Sequence, residues 1–354
     1  MNRTDNYLFK DYNFFISKND LSLQYDTYYE GGNSSLYNKR FGHNKTIYKE
    51  KELITNSFKR IYNRKKQKAQ NNKIKILDFG CGDGRLFEIL EDLALSYTNK
   101  EYTVELINYD ISYQAIKLFE DKLLNNDFSS CNEATISKQD IITKTFTKQN
   151  LLVKLIHTDS SCDKAILQEL LGKDFDIILC IFGVLAHIPG KQNRSDTLKL
   201  FKSISNENAE LIFTMPTIKS FWREYLTYTK LRKQLECGRF LENQQSYKSQ
   251  VLALRLAQEK GDIYYCTGSK TQIINNFLHI YSINELVEEL KEVDLQILKT
   301  PKLLSIKHPF EISSSPSKSF IDALLSEIFS LFCIPNSVKI FFGKHFSVVA
   351  INKN

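Results

Sequence analysis

Ile76-Leu77-Asp78-Phe79-Gly80-Cys81-Gly82-Asp83-Gly84-Arg85 is the stretch whose reading decides the fold. A hydrophobic run enters a turn with glycines at alternate positions, and a helix-prone stretch, Arg85 to Leu95, follows it. Glycine lacks the Cβ that holds a backbone away from its neighbours, so a strand–glycine turn–helix unit lets the main chain approach a ligand closely. The helix N-terminus after such a turn offers N–H groups to a polar ligand. Two phosphate-binding patterns fail on the residues. A G-x-G-x-x-G dinucleotide loop needs its third glycine where this chain has Arg85, and the Gly-Lys-Ser/Thr ending of a P-loop is absent.

Working outward, residues Lys73 to Thr217 alternate short β-rich runs with helical stretches, the pattern of a parallel sheet with crossover helices. Strands are expected at Ile74–Phe79, Val104–Tyr109, Leu152–His157, Phe175–Phe182 and Leu211–Met215, with a helix at Tyr113–Leu124. Residues 137–150 give no clear assignment. From about Ile218 to Asn276 the sequence turns long, polar and helix-prone, and is expected to form an inserted helical cap. A helix at Ile283–Leu290, a sixth strand at Leu295–Leu298, a serine-rich loop at Ser313–Ser319, a helix at Phe320–Phe332 and a last strand at Phe346–Ile351 complete the chain. Before the sheet, Ile47, Ile54, Phe58 and Ile61 recur at helical spacing and predict an amphipathic helix. Four regions result: 1–72, an N-terminal extension; 73–217, the core; 218–276, the cap; 277–354, completion of the sheet.

Two acidic residues follow the glycine turn at informative places. Asp110 closes the hydrophobic run Leu106-Ile107-Asn108-Tyr109 and stands 26 residues after Gly84. A carboxylate there can accept both hydroxyls of a ribose, and it can equally cap the next helix; Ser112 is available for the cap. Asp159 follows Ile156-His157-Thr158 at the end of the third strand, with Asp140 as its rival if the strand lies earlier.

The pattern h-Asp-h-Gly-x-Gly-x-Gly, with Asp110 at the second strand's end, resembles motifs I and II of class I S-adenosylmethionine (SAM)-dependent methyltransferases. Asp174 to Ile188 resembles the strand-four segment of that family, and His279-Ile280-Tyr281-Ser282-Ile283-Asn284-Glu285-Leu286 is like its late helix start. The resemblance covers Lys73–Thr217 and resumes weakly at Leu278–Leu298. It implies a Rossmann-like α/β fold with a seven-stranded, mostly parallel sheet and SAM as cofactor. It further implies that Asp78, Gly80, Cys81, Gly82 and Gly84 approach the cofactor, that Asp110 accepts from its ribose and Asp159 contacts its adenine amino group, and that Ile111 and Phe182 also line the cofactor. No metal ligand set is implied.

SAM is an activated methyl donor, so the protein mainly places a nucleophile and excludes water. A general base is needed only where the acceptor must lose a proton. His187, just past the fourth strand, is the candidate, and a histidine that merely packs beside the cofactor is the alternative. No Asp/Asn-Pro-Pro-Tyr/Phe run follows the fourth strand, which disfavours the usual methylation of adenine or cytosine amino groups. The absence of Pro-Cys there argues against a covalent cysteine at C5 of cytosine.

Composition bounds the acceptor without naming it. The 354 residues are 42% hydrophobic and 12% aromatic, ample for a buried core, and the net charge is +7. Seven cysteines without a paired spacing fit reduced thiols. The polar N-terminus has no signal-peptide core, and no apolar run reaches the roughly 18 residues of a membrane span, so a cytoplasmic protein is expected. Lys39 to Lys75 holds thirteen Lys and Arg against Glu50 and Glu52, with Tyr48 and Tyr62 among them, as an RNA-binding patch would. The cap adds Lys219, Arg223, Lys230, Arg232 and Lys233 around Trp222, and Gly261 to Tyr265 is distantly similar to a segment of tRNA wobble-uridine methyltransferases. A solvated, lysine-rich surface is the plain alternative. A small-molecule acceptor under the cap, with Tyr25, Tyr28 and Tyr29 closing the pocket, is the preferred reading. RNA is the second, and a non-catalytic scaffold with this fold the third.

Overall fold

The computed structural model describes residues 25–26, 28–30, 46–68, 72–97, 102–136, 141–159, 162–216, 262–269, 272–305 and 345–353. Helix α1 (Thr46–Lys68) precedes β1 (Lys73–Phe79), which runs into the glycine turn and α2 (Phe87–Tyr97). Then come β2 (Thr103–Asp110), α3 (Tyr113–Asn125), β3 (Ser129–Ile136), β4 (Ile141–Lys148), β5 (Leu151–His157) and α4 (Lys164–Leu171). The chain continues through β6 (Phe175–Cys180), α5 (Lys191–Ile204), β7 (Ser205–Pro216), β8 (Asp262–Ser269), β9 (Gln272–His279), α6 (Ile283–Glu292), β10 (Leu295–Ser305) and β11 (His345–Asn352).

One nine-stranded sheet takes the order β10-β11-β7-β6-β1-β2-β5-β4-β3. The strands β7, β6, β1, β2 and β5 are mutually parallel, while β11 runs antiparallel to both neighbours. A parallel sheet buries both faces, and β6 is accordingly buried at every position. Alternation along β1 serves two cores. Leu77 and Phe79 meet α4, α5 and α6 through Leu167, Phe201 and Leu286. Ile74 and Ile76 face the other way, toward α1, α2 and α3 through Phe58, Phe87 and Phe119. The spacing of Ile54, Phe58 and Ile61 thus becomes the buried stripe of α1, which is part of this core rather than an appendage to it.

The sheet departs from the expected seven strands. β3 and β4 add an antiparallel hairpin beyond β5, over residues that the sequence left largely unassigned. Their β-branched residues alternate with polar ones, as in Ile142-Thr143-Lys144-Thr145, so the hydrophobic run that marks a buried strand is missing. The C-terminal part of the expected helical cap is also β structure: β8 and β9 pair as a two-stranded hairpin from Asp262↔His279 to Ser269↔Gln272. Ile263-Tyr264-Tyr265 and Ile273-Ile274 carry the β propensity that overrides the helical pattern. The remainder of the cap, 218–261 and 270–271, the serine-rich loop and the helix at 320–332 lie outside the described residues. β10 extends through Pro301, tolerated because β10 is the sheet's edge. α6 starts with a reciprocal cap, Ser282 Oγ accepting from Glu285 N at 3.2 Å while Ser282 N donates to the Glu285 carboxylate at 3.3 Å. Among the described residues no helix is long and apolar enough to cross a membrane.

Candidate cofactor and acceptor site

Chain order reverses at β1: the strands that follow it first extend to β2 and β5 on one side, then return to β6 and β7 on the other. Ligands of open α/β sheets lie at the carboxyl ends of the strands at such a point. The glycine turn leaves β1 there, with Gly80, Gly82 and Gly84 all at positive φ (+80°, +58° and +75°). The turn is braced from inside. Gly80 N and Cys81 N both donate to Tyr109 O (2.7 and 3.0 Å), and Gly82 N donates to Asp110 Oδ2 at 2.8 Å. The N–H groups of these residues therefore hold the loop's shape, and what the loop offers a ligand is close approach. Cys81 is buried, and burial with nearby carboxylates pushes its thiol well above the usual range, so its side chain is a packing group.

Asp110 receives a second bond from Ser112 N, at 2.8 Å to Oδ1. With the Ile111 N–H also drawn to it, the carboxylate keeps acceptor capacity for a further donor on at least one oxygen. Ser112 is the N-cap of α3, its Oγ accepting from Ala115 N at 3.1 Å. Burial pushes the Asp110 carboxyl up to about 6, against the pull of the Ser112 and Gly82 N–H groups. Asp78, also buried, is pushed up to about 7, chiefly by desolvation, with Arg85 opposing. Ile111 is half-buried against the core beside it. Asp159 is half-buried just beyond β5, where Tyr109 Oη and Thr158 Oγ1 lie 3.1 Å apart and Thr158 Oγ1 donates to Asp159 O at 3.0 Å. Asp140 lies outside the described residues.

The turn after β6 forms the facing lip. Phe182 takes φ +64°, an unusual conformation for a bulky residue. It is fixed by Thr214 of β7: Phe182 N donates to Thr214 Oγ1 and Gly183 N to Thr214 O, each at 2.7 Å. His187 ends the short 3₁₀ turn Leu185–His187 and is half-buried, with the Tyr25 ring edge-on to it at 5.7 Å between centroids.

Sequence reasoning missed the ties between this lip and the glycine loop. Glu50 of α1 is fully buried, accepting from Arg85 Nη1 at 2.8 Å and from Thr214 Oγ1 at 3.1 Å. Arg85 also stacks over the Phe182 ring, 4.6 Å from its centroid. The basic run of α1 is likewise drawn inward. Arg60 grips buried Glu210 of β7 through Nε and Nη2 (2.8 and 2.5 Å), and Ser57 Oγ donates to the same carboxylate at 2.7 Å. Arg64 donates to Asn208 O at 2.6 Å, and Lys65 pairs with Asp176 at 2.8 Å. The helical spacing of Ser57, Arg60 and Arg64 was the available signal; the buried partner on β7 was not.

The residues fit SAM on an observation of their own: beside the glycine loop, Asp110 presents a buried carboxylate with acceptor capacity left. A Cβ at Gly82 would stand 2.5 Å from Tyr29 Oη, so it is the tyrosine segment that requires glycine there. Among the described residues no group of three or more His, Cys, Asp or Glu is placed to hold a metal ion.

A profile of a family described as "Methyltransferase domain" matches residues 51–300. No curated protein matches the chain. Among solved structures, the chain is similar to a SAM-dependent methyltransferase of Methanosarcina mazei (15% identity, TM-score 0.43, 80% of this chain and 94% of that one). It is also similar to a S-adenosylmethionine-dependent methyltransferase of Clostridium acetobutylicum (13%, 0.40, 88% and 100%). PKMT2 of Rickettsia typhi, solved in complex with AdoHcy, is a third (14%, 0.41, 80% and 51%).

Proposed function

The chain belongs to the methyltransferase-domain family, SAM-dependent enzymes, and from that premise we propose that it methylates a small molecule seated between the glycine loop and the His187 lip. One observation carries the choice of acceptor. Tyr29 lies against the glycine loop and Tyr25 against His187, so aromatic side chains flank both, as suits a small acceptor. The RNA alternative loses support from the same helix that suggested it. Arg60, Arg64 and Lys65 hold the sheet, and Lys59 lies over the Tyr97 ring.

Bound SAM supplies a methyl group already activated on a sulfonium. In this reading Asp110 accepts hydrogen bonds from the ribose, Gly80 to Gly84 admit the methionyl portion, and Asp159 marks the adenine end. Phe182, clamped by Thr214, keeps water from the transfer side. His187 orients the acceptor and takes its proton where one must leave.

The test incubates the purified protein and methyl-labelled SAM with lysate fractions, then separates protein, RNA and small molecules before counting. Label in the small-molecule fraction is expected. Label in an RNase-sensitive fraction would replace this acceptor with RNA. Confirmed SAM binding with no label in any fraction would favour the scaffold reading.

A further inference from the structure

Asp26 ties the segment at 25–30 to the start of α3. Asp26 Oδ1 accepts from Ser112 Oγ at 2.8 Å and from Gln114 N at 2.9 Å, at the start of α3, while Asp26 O accepts from Glu30 N at 3.0 Å and winds the segment into one helical turn. From that anchor the tyrosines fan across the cleft. Tyr28 and Tyr29 are buried against Ala115, with Tyr25 and Leu118 packed around them. The Tyr29 hydroxyl stands 2.5 Å from the place a Cβ of residue 82 would take. Tyr25 reaches the opposite lip, its ring perpendicular to that of His187 at 89°.

We infer that Asp26 is a positioning residue of the transferase: it latches a tyrosine strap across the cleft, so that Tyr29 walls the glycine loop and Tyr25 sets the orientation of His187. The physical basis is geometric. Ser112 and Gln114 belong to the ribose side of the cleft and His187 to the acceptor side, and among the described residues this short segment touches both. Both bonds fall on one oxygen of Asp26, so the latch needs an acceptor with the shape of a carboxylate or carboxamide and does not need the charge. The inference rests on the proposed placement of the cofactor, and its test has one arm that does not.

Three proteins are compared: wild type, Asp26→Ala and Asp26→Asn, each checked by circular dichroism. Folding is expected to survive because Ser112 Oγ still caps α3 through Ala115 N. The first arm follows the His187 Cε1–H resonance in protein without ligand, assigned through His187→Gln. Asp26→Ala should shift it, because the Tyr25 ring current moves away, whereas Asp26→Asn should leave it close to wild type. The second arm measures SAM binding by calorimetry. Asp26→Ala should weaken it tenfold or more, and Asp26→Asn should remain within about threefold. An unmoved His187 resonance in Asp26→Ala, or SAM affinity within about twofold of wild type, would overturn the inference. A wild type that fails to bind SAM would instead remove the cofactor placement, and the resonance would still decide the latch.

Discussion

Glu50→Ala removes, in one step, the acceptor of Arg85 Nη1 at 2.8 Å and of Thr214 Oγ1 at 3.1 Å. Glu50 is fully buried and the Arg85 side chain only 16% exposed, so water cannot replace the lost partner. Deleting one member of a buried pair costs about 3–5 kcal/mol, because the remaining charge stays uncompensated. Unfolding entropy of about 2.1 cal/mol/K per residue gives a chain of this length roughly 0.7 kcal/mol/K, so Tm should fall by about 4–7 °C. The double variant Glu50→Ala/Arg85→Met removes the stranded charge as well and should recover part of that loss. Differential scanning calorimetry measures both. A Tm for Glu50→Ala within about 1 °C of wild type, or a double variant at least as unstable as the two single losses summed, would refute the reasoning. The function at stake is the lip itself, since Thr214, relieved of Glu50, also holds Phe182 N.

Two further outcomes follow from the same geometry. Gly84→Ala places a Cβ 2.5 Å from Phe119 Cδ2 and 2.6 Å from Cε2, on a backbone at φ +75°, against a fully buried ring. Left-handed strain of about 1–2 kcal/mol and overpacking of about 1–3 kcal/mol should together lower stability in denaturant titration, and Phe119→Leu in the same chain should restore the packing share. The ligand-free protein should also lose stability as pH rises. Asp78 and Asp110 titrate near 3.8 when unfolded and are pushed up to about 7 and about 6 by burial. The stability they lend is complete below about pH 4 and is lost as pH rises through 6 and 7. Asp78→Asn should flatten the melting profile between pH 5 and 8, and an unchanged slope there would contradict the assigned burial cost.

Much of the site was legible because it is local. A strand, a glycine turn and a helix start within 76–85, and an acid closing the next hydrophobic run, are decided by neighbours in sequence, and the structure sets Gly82 N on Asp110 accordingly. The helix stripe of Ile54, Phe58 and Ile61 was legible for the same reason. What escaped were contacts made across the chain. Glu50 read as an acidic exception in a basic run, yet it serves Arg85 and Thr214 from 35 and 164 residues away. Arg60 belongs to the basic run that suggested an RNA-binding patch, yet its partner is Glu210 of β7. Asp26 carried no motif at all; its role depends on where α3 begins. The extra strands β3 and β4 were hidden by polar alternation, which weakens the hydrophobic signal on which strand assignment relies, while the short β-prone runs of β8 and β9 sit at the end of a long polar, helix-prone stretch.

The central claim is that SAM is held against the glycine loop and the remaining acceptor capacity of Asp110, and isothermal calorimetry of SAM binding to wild type and Asp110→Ala tests it most directly. Wild type should bind one SAM per chain. Asp110→Ala, folded by far-UV circular dichroism, should bind it more weakly by about 1.5–3 kcal/mol, the value of hydrogen bonds to a charged group, or about 10- to 150-fold in Kd. Equal affinity in the two proteins, or no binding to wild type, would contradict it.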